Sequence, residues 1–220
     1  MSKRTKITAI VIVIAAAAII AAGATLAYFT ADGGTKTNTF STGSVTVELR
    51  EPTWDGYNFG DPHVSDGQSA ASNDPSLGFN QAQKYGPGDV ISKDPQVKNT
   101  DKVVAWVAIK VNYSLNGGPL TYSDFQSKLL TNNGLDFDLS NWTLLKDEGT
   151  KGQLYLYKTK LEKDQTTGKL FTKVPIAFGG LELIDGKLPT FAIDAQGFGV
   201  QAENITPEKA QEELINLAFN

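Results

Sequence analysis

Residues 102–111, KVVAWVAIKV, are the stretch that decides the fold. Apolar side chains fill both alternating sets of positions along it: Val103, Ala105, Val107 and Ile109 on one face, and Val104, Trp106 and Ala108 on the other. A strand that is apolar on both faces is typical of the centre of a sheet covered from both sides. We therefore predict a central strand here, with the core built around it.

Shorter segments with strand character lie on both sides of this stretch. Residues 40–49 alternate between apolar and polar, which predicts one half-buried strand. Further strands are predicted at 142–145, 153–161, 170–174 and 191–203. The turn residues at 164–168 predict a hairpin between the second and third of these. Two glycines predict a bulge in the last one, near Gly197 or Gly199.

The apolar period lengthens to that of a helix in two places. Residues 121–130 predict a short helix with Ser123 as its cap, and residues 206–217 predict a helix capped by Thr206 with Pro207 at its first position. Many short strands with two helices indicate an all-β fold with minor helices, an antiparallel β-sandwich.

The chain divides into three parts. A length of 220 residues supports one core of ordinary size, and we assign residues 44–220 to a single sandwich domain. Within it, residues 50–89 are rich in Pro, Gly and Asp and predict a long loop. Residues 28–43 are polar and contain glycine, so they predict a mobile segment ahead of the domain.

Residues 1–27 contain, in sequence, the three regions that are typical of an export signal. Basic residues Lys3, Arg4 and Lys6 precede an apolar run over 7–22 and a small-residue exit that ends at Ala27. We predict cleavage after Ala27, so that the mature chain begins at Tyr28. The alternative is a retained membrane anchor, because about 20 apolar residues can span a bilayer.

Composition excludes several classes of chemistry. The chain has no cysteine, which removes disulfides, thiolate metal sites and a cysteine nucleophile. The formal net charge of −4 argues against nucleic acid and against lasting binding to an anionic membrane. His63 is the single histidine, whereas a zinc protease of the common kind needs two on one helix. We expect no catalytic residues and no cofactor.

The predicted loop holds the remaining candidates for binding. Four aspartates, Asp55, Asp61, Asp66 and Asp74, could ligate calcium, although a solvated acidic loop is the commoner explanation of such a group. Its aromatic residues Trp54, Tyr57 and Phe59 could form a sugar-stacking patch or a small core of the loop itself. Three N-glycosylation sequons begin at Asn112, Asn141 and Asn204, and we expect no modification in a bacterial host.

Four short motifs carry a resemblance to a known family. They are AYFTAD at 27–32, NTFSTGSVTVEL at 38–49, YGPGDV at 85–90 with VKNT at 97–100, and GVQAEN at 199–204. Their order and spacing resemble the TasA/camelysin family. The resemblance implies cleavage by an ER-type signal peptidase, a jelly-roll fold, and subunits that polymerise into biofilm-matrix or surface fibres.

The resemblance also implies the mode of assembly. The mature N-terminus would add as a strand to a neighbouring copy, and the candidate polymerisation strand comprises Tyr28, Phe29, Phe40, Val45 and Val47. The expected partners are copies of the same chain, with other matrix or cell-surface components as further candidates, and the membrane only during export. The alternatives are a monomeric surface domain that binds through residues 50–89 and, third, a secreted metalloprotease.

Overall fold

A computed structural model describes residues 38–42, 45–62, 69–71, 73–179, 181, 183 and 186–220. Ten strands, all paired antiparallel, are described: β1 Asn38–Thr42, β2 Val45–Arg50, β3 Val90–Ser92, β4 Gln96–Asn99, β5 Ala105–Leu115, β6 Gly118–Leu120, β7 Trp142–Asp147, β8 Gln153–Tyr157, β9 Lys173–Pro175 and β10 Phe191–Gln201. The described helices are α1 Pro52–Asp55, α2 Gly78–Ala82, α3 Tyr122–Leu129 and α4 Pro207–Phe219, with a 3-10 turn at Gly149–Lys151. The predicted class, all-β with minor helices, is confirmed.

The predicted central strand is β5. It lies between β10 and β8 in a sheet of order β10-β5-β8-β7, with β6 also paired to β5. Residues Ala105, Val107, Ile109 and Val111 are fully buried in the main core on one face. On the other face Ala108 is buried in a second apolar cluster beneath α4. Both faces of β5 are therefore covered, as its sequence predicts.

Helix α4 covers the outer face of this sheet. Its N-cap is Thr206, whose hydroxyl oxygen accepts from the Lys209 backbone N–H at 3.3 Å, and Pro207 occupies the first turn. Ala210, Leu214 and Ala218 form its buried stripe at helical spacing. The predicted helix, cap and proline position are confirmed. Helix α3 is confirmed too, but its N-cap is Thr121, two residues before the predicted Ser123.

A three-stranded sheet, β1-β2-β4, packs on the central sheet, and β3 pairs with β9 separately. The predicted single strand over 40–49 is wrong: β1 and β2 are two strands that pair with each other. The predicted hairpin at 164–168 is also wrong. β8 and β9 belong to different sheets, and residues 164–167 run beside β4 instead.

The glycines of β10 are not at a bulge. β10 keeps an unbroken register with β5, with Gly197 opposite Ile109 and Gly199 opposite Val107. The predicted bulge is therefore wrong. The described parts of residues 50–89 hold α1 and α2, and Trp54, Phe79 and Ala82 from them join the main core.

No helix in the described part of the chain is long and apolar enough to cross a membrane. The jelly-roll sandwich of the sequence analysis goes further than these strand pairings and stays a prediction.

Candidate functional site

The residues of the predicted cleavage site and of the candidate polymerisation strand fall into two groups. Ala27, Tyr28 and Phe29, which include the predicted cleavage site, lie outside the described residues. The structure brings the other three together: the backbone of Phe40 lies opposite Val47, and Val45 pairs with Thr42. Residues 38–42, the C-terminal part of the segment predicted to be mobile, form β1 on β2 of the same chain.

The hairpin between β1 and β2 contains five residue pairs, from Asn38 opposite Leu49 to Thr42 opposite Val45. The backbone N–H of Thr46 donates to Asp101 Oδ2 at 3.0 Å, and its carbonyl accepts from the Thr100 backbone N–H at 3.0 Å. Because both backbone groups of Thr46 point away from β1, Ser41 and Thr46 form a non-hydrogen-bonded pair. Such pairs bring their Cα atoms to about 4.5 Å.

The inner face of β2 is pressed onto β10. Val45, Val47 and Leu49 have no exposed surface. A Cβ built on Gly199 would lie 2.6 Å from Val47 Cγ1 and 3.1 Å from Val45 Cγ1, and one built on Gly197 would lie 3.3 Å from Leu49 Cβ. The two glycines thus provide the space into which the apolar side chains of β2 fit, and β2 is held in place by side-chain packing as well as by its strand neighbours.

The far side of β4 is already paired. The Thr167 N–H donates to the Val97 carbonyl at 2.8 Å, and the Asn99 N–H donates to the Gln165 carbonyl at 3.0 Å. Lys98 and Thr166 form an antiparallel β-bridge between the same two segments. Among the described residues, β1 is the outermost strand on one side of this sheet, and residues 164–167 lie along the other side.

The β7 side of the central sheet is built differently. Its register with β8 shifts between Leu144 and Lys146, which marks a bulge or irregularity. Lys146 and Asp147 follow at once, and Lys146 pairs with Glu148 at 3.0 Å. Bulges and charged residues are the common means by which natural sheets prevent a further strand from adding. β7 is therefore poorly suited to accept a strand from another copy.

The aspartates of residues 50–89 that could ligate calcium accept hydrogen bonds from nearby residues wherever the structure describes them. Asp55 Oδ1 accepts from the Tyr57 N–H, Asp61 Oδ2 from the Asn58 N–H, and Asp74 Oδ1 from Ser76. Each carboxylate thereby closes its own turn. His63 and Asp66 lie outside the described residues. Among the described ones, no three His, Cys, Asp or Glu side chains converge as a metal would require.

The aromatic residues of that segment, considered above as a sugar-stacking patch, differ in how deeply they are buried. Trp54 is fully buried, with its ring edge-on to Phe79 at 6.0 Å between centroids, so it belongs to the core and cannot stack on a ligand. Tyr57 and Phe59 are half-buried. Trp54 therefore belongs neither to a sugar-stacking patch nor to a separate core of the loop: it is part of the main core of the domain.

A polar groove with a volume of about 510 Å³ lies between residues 73–84 and residues 89–91. Amide side chains dominate its lining, from Asn73, Asn80, Gln81 and Gln83, and Lys84 and Asp89 add one charge of each sign. The sequence analysis did not predict this groove. Its residues lie in and around α2 and just before and within β3, a region that was predicted to be a loop without helices or strands.

Comparisons with known protein families, with curated proteins and with solved structures found no match to this chain.

Proposed function

We propose that this protein is an exported, non-enzymatic structural subunit that assembles with copies of itself into extracellular or cell-surface fibres by exchange of its N-terminal strand. One observation carries the proposal: among the described strands of its sheet β1 is the outermost, and only residues 43–44 separate it from β2. The motifs that resemble the TasA/camelysin family point to the same class of protein.

The backbone pairing supports exchange on energetic grounds. A β1 strand from a second copy can form the same five pairs with β2 that the chain's own β1 forms. Hydrogen bonding is then nearly unchanged between the closed monomer and the exchanged state, and the two-residue connection decides which state is preferred. In the proposed assembly each subunit receives a strand from one neighbour and gives its own to another, so the contact repeats head to tail and produces an open filament.

The test uses two variants of a chain that has no cysteine of its own. One carries Ser41→Cys and the other Thr46→Cys, two positions that face each other across β1 and β2. Their predicted Cα separation suits a disulfide. When the two variants are mixed, assembled and oxidised, strand exchange predicts a mixed disulfide dimer on a non-reducing gel.

Two controls sharpen this experiment. A mixture of Ser41→Cys with Glu203→Cys, an exposed position after β10, should give no specific mixed dimer. Negative-stain microscopy of the same samples reports whether filaments form. Filaments without the disulfide between positions 41 and 46 would reject strand exchange, and uniform single particles would reject assembly itself.

A second candidate is a monomeric surface domain that binds a ligand through residues 50–89. The groove favours it, because the exposed amide side chains of Asn73 and Gln83 can donate and accept hydrogen bonds as hydroxyl-rich ligands such as glycans require. The amides of Asn80 and Gln81 already bond to nearby backbone groups. Titration with soluble oligosaccharides, read by calorimetry, tests this function. Binding that is lost in Gln83→Ala, at an exposed residue of the groove, with the protein monomeric throughout, would support the second candidate over the first.

A further inference from the structure

Glu51 and Lys93 form an ion pair with no access to solvent. Lys93 Nζ lies 2.8 Å from Glu51 Oε2, and both side chains have zero exposure. The Lys93 ammonium also lies over the Trp54 ring, 4.9 Å from its centroid. Glu51 directly follows β2, whereas Lys93 directly follows β3, so the pair joins two segments that are distant in sequence.

The site stabilises the carboxylate of Glu51 poorly. Glu51 Oε1 is buried without a hydrogen-bond partner among the described residues. Burial raises the pKa of Glu51, Lys93 opposes that effect, and the charge of Asp94 adds to it. Asp94 is itself buried and is held by the Thr53 N–H at 2.7 Å and by Lys169 at 3.1 Å. A neutral carboxylic acid therefore costs less here than in water.

We propose that Lys93 Nζ and Glu51 Cδ condense in the folded protein into an amide bond, a covalent cross-link between the start of α1 and the segment that joins β3 to β4. Sequence alone does not indicate this bond, and it is independent of how the protein assembles.

The reaction needs no further reactant. A proton moves from the Lys93 ammonium to the Glu51 carboxylate across the 2.8 Å hydrogen bond, which leaves a neutral amine and a carboxylic acid. The nitrogen lone pair attacks Cδ, the C–N bond forms, and the C–OH bond breaks. The hydroxyl group leaves as water with a proton from the nitrogen. No group is oxidised or reduced.

Two physical effects favour the amide at this position. In water, amine and acid remain apart at neutral pH largely because both are stabilised as ions. A buried pair loses most of that hydration, whereas an amide carries no net charge. In addition, the fold holds Lys93 Nζ 2.8 Å from Oε2, the oxygen bonded to the carbon that the nitrogen attacks. Such positioning raises the effective concentration of a reactant by orders of magnitude.

Peptide mapping of the purified folded protein tests the proposal. Trypsin cuts after Arg50, Lys84 and Lys98 but not after a lysine acylated on Nζ. The expected product is a branched peptide in which residues 51–84 are joined to residues 85–98, lighter by one water than the two peptides together. If the pair is ionic only, the digest contains residues 51–84, 85–93 and 94–98 as separate linear peptides, and the proposal is wrong.

Two variants complete the test. Lys93→Arg keeps a buried positive charge but has no amine that can form this amide, so the branched peptide should vanish and the thermal midpoint should fall. Lys169→Arg changes the neighbouring partner of Asp94 and should retain the branched peptide. If Lys93→Arg fails to fold, the digest of the unsubstituted protein still decides the matter.

Discussion

The β-carbon that Gly199 lacks would lie 2.6 Å from Cγ1 of Val47, closer than real side chains approach. Gly199 lies near the C-terminal end of β10, and Val47 lies in the middle of β2. The short distance shows that the sheet β1-β2-β4 packs closely against β10 of the central sheet.

Gly199→Ala should lower the free energy of unfolding by about 1–3 kcal/mol, because the added methyl group forces β2 away from β10. Urea denaturation measures the change. Val47→Ala in the same chain should recover part of the loss, so that the two substitutions together cost less than their sum. Gly179→Ala is the matched control, since a Cβ there meets no atom within 4 Å. Additive effects of the two substitutions would show that the strands are not in tight contact.

How far the sequence predicts this fold depends on which interactions specify each element. Thr206, Pro207 and the stripe of Ala210, Leu214 and Ala218 are local signals, and helix α4 follows from them. β5 follows from its unusual two-sided apolar pattern. In both cases the information lies within one segment of the chain.

Pairing between distant segments was not predictable in the same way. Residues 164–167 carry turn signals, but their backbone partners are Val97 and Asn99 in β4 rather than a neighbouring strand. Gly197 and Gly199 suggest a bulge when β10 is considered alone. Their spacing of two puts both on one face of the strand, and the close packing of β2 and of Val97 in β4 on that face explains them. The ion pair of Glu51 with Lys93 gave no local signal at all.

Alkaline pH should destabilise the fold through its buried tyrosines. Burial raises the pKa of Tyr85 to about 12 and raises the pKa of Tyr155 as well. The folded state therefore holds these phenol protons more tightly than the unfolded chain, in which the pKa is about 10. Their contribution to stability is complete below pH 10 and is lost as pH rises toward 12 and beyond.

Denaturation curves over that pH range should show the decline, and near-ultraviolet absorbance should show fewer phenolates in the folded protein than in urea. Tyr155→Phe should make the decline shallower. It also removes the hydrogen bond from the Tyr155 hydroxyl to Gln153, so the variant should already be less stable at neutral pH. An unchanged slope would mean that Tyr155 ionises equally in both states.

Thr206→Ala should cost about 1 kcal/mol, because the first turn of α4 loses the oxygen that accepts from the Lys209 N–H. Thr206→Ser keeps that oxygen and is the matched control. Urea denaturation of both variants gives the comparison. Equal stability of the alanine and serine variants would show that the cap contributes nothing and that packing of Leu214 alone holds the helix.

The order of basic, apolar and small residues in 1–27 predicts export with cleavage after Ala27, so the mature chain should begin at Tyr28. Mass spectrometry of the N-terminal peptide measures this directly. Ala27→Asp places a charge at the predicted exit and should leave an uncleaved, cell-associated form. A mature start upstream of Gly23, or an intact leader on the secreted protein, would contradict the predicted site.

Locking β1 to its own β2 should prevent assembly while leaving the fold intact. The double variant Ser41→Cys, Thr46→Cys carries two thiols on opposite strands of one hairpin, and the chain has no other cysteine to compete. Oxidised as a dilute monomer, it should form an internal disulfide that ties β1 to β2. The strand can then neither leave its own sheet nor pair with a neighbour. Light scattering and negative-stain microscopy should find no filaments, and reduction should restore filament growth.

The same protein reduced and alkylated carries both substitutions without the cross-link, and it should assemble like the unsubstituted chain. If the oxidised monomer forms filaments as fast and as long as the reduced one, β1 stays in its own sheet during assembly, and the contact between subunits lies elsewhere on the molecule.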